Sequence, residues 1–129
     1  MNKYLIDTHV LLWMTQKPEN ISLFAESILE SENKLFLSHA SVWEMAIKIK
    51  IGKLNIEISL SDFIDSSIEK YRLELLSISL QHIYHIEQLP LHHGDPFDRL
   101  LIAQSFSENI PIISADEAFD IYGIQRIWS

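Results

Sequence analysis

Five short apolar runs, separated by segments that carry helical signals, constrain this chain more than any other feature of its sequence. The runs at 3–6, 34–38, 75–78, 111–114 and 125–128 each have the length of a buried strand. Residues 10–14 are too apolar for a surface loop and read as the start of a buried helix. After a break at 18–20, residues 22–31 place Leu23, Phe24, Ile28 and Leu29 at roughly helical spacing. The segment 41–50 turns Val42, Met45, Ala46 and Ile49 inward, and Gly52 stands where a terminating glycine belongs. Residues 61–72 form an amphipathic helix through Phe63, Ile64, Ile68 and Tyr71. Ser79 can cap a helix carrying Leu80, Ile83 and Ile86, which stops before Pro90. Asp95-Pro96 opens a helix toward Glu108, and 116–122 is a short helical turn. Residues 54–59 fit neither pattern. Strands alternating with helices predict an α/β fold: a three-layer sandwich around a five-stranded, mainly parallel sheet with right-handed crossovers.

With 129 residues and 47% apolar content, the chain has material for one packed core, so a single domain over 1–129 is expected. There is no cysteine, hence no thiolate metal site and no thiol nucleophile. That composition suits a reducing cytoplasm. An acid at position 7 interrupts the N-terminal segment too early for a signal peptide, and no apolar run is long enough to span a membrane. The formal net charge of −8 argues against holding nucleic acid by bulk electrostatics alone. It leaves room for an enzyme whose acids are neutralised by bound cations.

Four acids fall where such a sheet binds ligands, beyond the carboxyl ends of its strands. Asp7 follows the first strand directly. Glu44 is placed in the first turn of the helix after the second strand. Asp98 lies in the first turn of the helix that leads into the fourth strand, and Asp116 follows that strand. Carboxylates forced together without a cation repel one another. Oxygen ligands in an open site suit Mg²⁺ or Mn²⁺, whereas Zn²⁺ favours histidine or cysteine. Two such ions, about 3.5–4 Å apart, can activate water and stabilise the leaving oxygen of a phosphodiester. Each acid also has a structural alternative. Ser41-x-x-Glu44 fits a capping box. Asp95-Pro96-Phe97-Asp98 fits an N-cap, a proline at the first helical position and an acid facing the helix dipole. Asp116 can cap its own turn. Asp7 is the hardest to explain structurally, because an acid ending a buried strand needs partners or a cation.

At these positions the chain resembles the PIN-domain family, and within it the VapC-type toxins of bacterial toxin–antitoxin pairs. The matching segments are Leu5-Ile6-Asp7-Thr8-His9, Ser38-x-x-Ser41-Val42-Trp43-Glu44 with Gly52-Lys53-Leu54, and His93 through Ala103 around Asp-Pro-Phe-Asp-Arg. Ile113-Ser114-Ala115-Asp116 and Tyr122-Gly123-Ile124 complete the set. The resemblance implies strand order 3-2-1-4-5 and a Mg²⁺- or Mn²⁺-dependent endoribonuclease acting on tRNA or mRNA. It also implies a homodimer and a cognate antitoxin that blocks the site. Carried over residue by residue, the catalytic and metal-binding acids are Asp7, Glu44, Asp98 and Asp116. Thr8, His9, Asp95 and Ser114 are supporting candidates, with Ser114 where the family often has a hydroxyl beside the last acid.

Lys48, Lys50 and Lys53, with Arg99, are candidates for RNA contact. The alternatives are a solvated helix face for the lysines and an ion pair with a nearby acid for Arg99. His82, His85, His92 and His93 read as surface or half-buried residues rather than a zinc site, and Trp13, Trp43 and Trp128 as core or dimer contacts. An aspartyl-phosphate phosphatase resembles Asp-x-Asp after strand one, but position 9 is His. A receiver domain wants an acid ending strand three and a lysine after strand five, which Ile78-Ser79 and Trp128-Ser129 do not supply. Dinucleotide binding lacks its glycines near strand one. A non-catalytic PIN scaffold is the remaining alternative, and the presence of all four acids counts against it.

Overall fold

The computed structural model describes residues 2–129; Met1, the first residue of the N-terminal segment, lies outside the described residues. Strands β1 (Lys3–Ile6), β2 (Lys34–Ser38), β3 (Leu73–Leu76), β4 (Ile112–Ile113) and β5 (Arg126–Ile127) pair entirely in parallel, in the order β3-β2-β1-β4-β5. Parallel pairing demands a crossover between neighbours, and helices α1 (Thr8–Gln16), α2 (Leu23–Glu30), α3 (His39–Lys50), α4 (Leu60–Tyr71), α5 (Leu80–Gln88) and α6 (Pro96–Glu108) provide it. Only a 3-10 turn at Glu117–Tyr122 separates β4 from β5.

Side-chain alternation along the strands divides the core in two. Ile6, Leu35, Leu37 and Ile113 pack on one face with Val10, Leu11, Met45, Phe63 and Ile64. Leu5 and Ile112 face the other side, against Leu100, Leu101, Ile102 and Phe119, with Phe36 beside them. The sheet is therefore covered on both faces, as the buried apolar residues of its central strands require. The central strand β1 ends at this buried level, so whatever follows it emerges between two packed layers.

Three local departures from the sequence reading have physical causes. Helix α3 begins at His39 rather than 41, because the Ser38 hydroxyl accepts the Ala40 N–H at 2.9 Å. Glu44 is consequently in the second turn, and Ser41-x-x-Glu44 is not a capping box. Strand β3 starts two residues early: Arg72 adopts the left-handed conformation (φ 54°, ψ 45°) and turns the chain from α4 straight into Leu73. In α5 the inward face is offset. Leu80 and Ile83 are exposed, whereas His82 is buried, completing a capping box with Ser79 and meeting Glu108 at 2.9 Å. Ala46, expected inward, is exposed as well, as are Leu23 and Phe24 of α2.

Candidate active site

Asp7 leaves the end of β1 and is almost wholly buried at 6% exposure. One carboxylate oxygen caps α1 by accepting the Val10 N–H at 2.8 Å, and the other accepts the Ser114 hydroxyl. Ser114 continues β4 and also accepts the Asp116 N–H at 3.0 Å, so one hydroxyl ties the two acid-bearing segments together. Burial raises the Asp7 pKa above its ordinary value. Hydrogen bonds from Ser114 and Val10 and the proximity of His9 oppose the shift, and repulsion from Asp116 adds to it. Asp7 thus has a structural duty as a cap and is an acid held where its charge is unfavourable.

Glu44 is also buried, on the α3 face turned to α1. The Thr8 hydroxyl donates to one of its oxygens at 2.7 Å and lies 2.9 Å from the Ser41 hydroxyl. Lys48, one turn further along α3, pairs with the other oxygen at 2.9 Å. Lys48 is therefore neither a free solvated charge nor a free phosphate contact. Lys50 and Lys53 are exposed.

At the start of α6, the two acids of Asp95-Pro96-Phe97-Asp98 separate by role. Asp95 accepts the N–H groups of Phe97 (2.8 Å) and Asp98 (3.1 Å) through one oxygen, the geometry of an N-cap. Asp98 instead meets His93 Nε2 at 2.8 Å. Its pKa rises to about 6, chiefly through burial, then through repulsion from Asp95 and Glu44, with His93 pulling it down. His93, Asp98 and Asp116 each bring one ligand atom to within 4.8 Å of the others. Asp116 is exposed and caps the following turn through Ala118 N–H at 2.9 Å. His93, which the sequence places at the head of the family-like segment 93–103 but among surface or half-buried histidines, is brought to Asp98 here.

His9 is exposed, with its ring 6.1 Å from Trp13. Arg99 makes no ion pair with an acid among the described residues; its guanidinium donates to backbone carbonyls. Trp43 is half-exposed, packs edge-on against Phe97 at 5.1 Å, and lines an apolar groove with Ile83, Ile86 and Leu91 beside the acids.

The roles at 95 and 98 carry an expected result. Asp95→Ser preserves a capping oxygen and should retain stability, whereas Asp95→Ala should cost about 0.5–2 kcal/mol. Asp98→Ser should fold at least as well as wild type but lose divalent-metal affinity. Thermal melts and Mn²⁺ titration of these variants check this, and a reversal of the two roles would reassign the ligand.

The fold is of the all-parallel α/β sandwich class, with Asp98 of α6 and Asp116 after β4 meeting at the sheet's edge and a buried Asp7 beside them. Within that class the chain belongs to the PIN-domain family, whose model matches residues 4–124. It is 23% identical over 118 residues to ribonuclease VapC22 of Mycobacterium tuberculosis, covering 90% of this chain and 88% of that protein. The fold is shared with VapBC2 from Rickettsia felis bound to a DNA fragment from their promoter: TM-score 0.70, 16% identity, 98% of this chain and 99% of that one. DNA-bound VapBC from Salmonella typhimurium gives a TM-score of 0.68 at 18% identity, with 98% of each chain covered.

Proposed function

We propose that this chain is a single-domain, cytoplasmic endoribonuclease of the PIN family, the toxin of a toxin–antitoxin pair, dependent on Mg²⁺ or Mn²⁺. The observation that carries the reading is the meeting of Asp98, Asp116 and His93 within 4.8 Å, beside a buried Asp7 that Asp116 repels. Membership of the PIN family and similarity to a protein named as a ribonuclease support it.

The donor set fits a hard divalent ion. Asp7, Asp98 and Asp116 offer carboxylate oxygens, and two of the three have pKa values raised by burial, so a cation would relieve an existing cost. When bound, such an ion supplies a more acidic water and neutralises charge developing on the phosphodiester. The chain's own residues do the positioning. Ser114 fixes the Asp7 carboxylate and Asp116 backbone together, and His93 orients Asp98. Thr8 and Lys48 hold Glu44 at the margin of the acids. Water would attack phosphorus in line with the bond to O3′; as that bond breaks, one of the water's protons reaches O3′, giving the 3′-hydroxyl, and the other leaves with the 5′-phosphate.

The substrate is RNA, either tRNA or mRNA, and the partner is a cognate antitoxin whose apolar segment would cover the groove at Trp43 and Ile83. A homodimer is the expected assembly, checked by sedimentation at high micromolar concentration. The test of the reaction is end chemistry on a mixed RNA pool. Water attack yields 5′-phosphate and 3′-hydroxyl ends. Cyclic 2′,3′-phosphate ends would indicate attack by the substrate's own 2′-hydroxyl and would overturn the mechanism.

A further inference from the structure

Arg99 sits one residue beyond Asp98 in the first turn of α6, yet it points away from the acids. One terminal guanidinium nitrogen donates to the carbonyls of Pro90 (2.9 Å) and His93 (3.4 Å), and the other to those of Ile86 (3.1 Å) and Leu89 (3.3 Å). Two of these carbonyls, Ile86 in the last turn of α5 and Leu89 at its C-cap, lie near the negative end of the helix dipole, and a third, that of Pro90, follows in the loop. The fourth belongs to His93, whose ring contacts Asp98 at 2.8 Å. Residues 89–94 form no helix or strand, so little else in the backbone fixes where His93 lies.

We propose that Arg99 is a positioning residue that clamps the end of α5 and the loop after it, and so delivers the His93 imidazole to Asp98. This rests on the reading of Asp98 and Asp116 as metal ligands, with His93 orienting Asp98. Both terminal nitrogens are committed to carbonyls, so the side chain acts within the fold rather than on RNA phosphate. The role needs a planar, forked donor spanning several acceptors. A lysine supplies charge but no such span.

The test is Mn²⁺ binding without RNA, read by the electron paramagnetic resonance of free Mn²⁺. The proteins are wild type, Arg99→Gln, Arg99→Lys, His93→Gln and the His93→Gln/Arg99→Gln double variant. Partners that orient metal ligands typically govern affinity by about 10–100-fold when removed, so Arg99→Gln should weaken Mn²⁺ binding about tenfold. Arg99→Lys, the milder change should Arg99→Gln fail to fold, should also weaken it. Because Arg99 acts through His93, adding Arg99→Gln to His93→Gln should cost less than about a further twofold, a non-additivity expected of coupled residues. Wild-type affinity in both Arg99 variants, or an undiminished loss in the His93→Gln background, overturns the proposal. So does unchanged Mn²⁺ affinity with a raised KM for RNA, which would put Arg99 on the substrate. Absence of Mn²⁺ binding by folded wild type would remove the metal-site reading and this one with it, an outcome distinct from any confined to Arg99.

Discussion

Asp7→Asn is expected to abolish RNA cleavage while leaving the protein folded. The substitution keeps an oxygen able to accept the Val10 N–H, so the cap on α1 survives. What it removes is the negative charge at the end of the central strand. Loss of one preorganised electrostatic group from an active site commonly costs about 10²–10³-fold in turnover, and a lost metal ligand should cost at least that. Stability should move the other way. Burial disfavours the ionised carboxyl in the wild type, so the neutral amide should give a metal-free melting temperature equal to or above it. Single-turnover cleavage of a tRNA pool, together with thermal melts in EDTA, measures both. Undiminished cleavage would remove Asp7 from the chemistry and leave it only the cap.

The second large effect is on stability and its dependence on pH. The folded protein holds the Asp98 proton up to about pH 6, whereas an unfolded aspartate releases it near pH 4. The folded state therefore binds more protons between those values. The stability linked to this carboxyl is present below pH 4 and is lost as pH rises through about 6. Asp7, whose pKa is also raised, acts in the same direction. Metal-free protein should thus melt at a lower temperature at pH 7.5 than at pH 5.5. Mg²⁺ or Mn²⁺ should reverse the trend, because the ion binds the ionised form. At a concentration 100 times Kd, a native-state ligand adds about 2.7 kcal/mol, or roughly 10 °C for a domain of this size. Asp98→Asn combined with Asp116→Asn should raise the metal-free melting temperature and eliminate the metal response. A wild type indifferent to EDTA at both pH values, with a double variant no more stable, would mean that the acids do not act as a cluster.

How much could be read from the sequence depended on how local each signal was. The sheet was legible because each strand is an apolar run bounded by caps and turns, and its order followed from a family resemblance along most of the chain. The split between Asp95 and Asp98 was legible because a proline at the first helical position identifies the residue before it as the cap. The extent of β3 was not. A left-handed Arg72 carries no glycine or asparagine to announce it. The inward side of α5 was obscured because a buried histidine with two good partners looks polar in sequence, while Leu80 and Ile83 look like core. The surroundings of Glu44 were least accessible. Its hydroxyl partner Thr8 lies 36 residues away, and only the packing of α1 against α3 brings them together. The place of His93 was hidden for a related reason: it depends on a loop without periodicity, held by contacts to backbone carbonyls.

The central claim, a metal-dependent ribonuclease built on these carboxylates, is tested most directly by cleavage of a defined RNA pool by protein stripped with EDTA. Mn²⁺ or Mg²⁺ is then added back, and wild type is compared with Asp98→Asn. The account predicts no cleavage after stripping and recovery in wild type on adding either ion. It also predicts no recovery in Asp98→Asn at ion concentrations that saturate the wild type. Equal cleavage before and after stripping, or full recovery in Asp98→Asn, would contradict it.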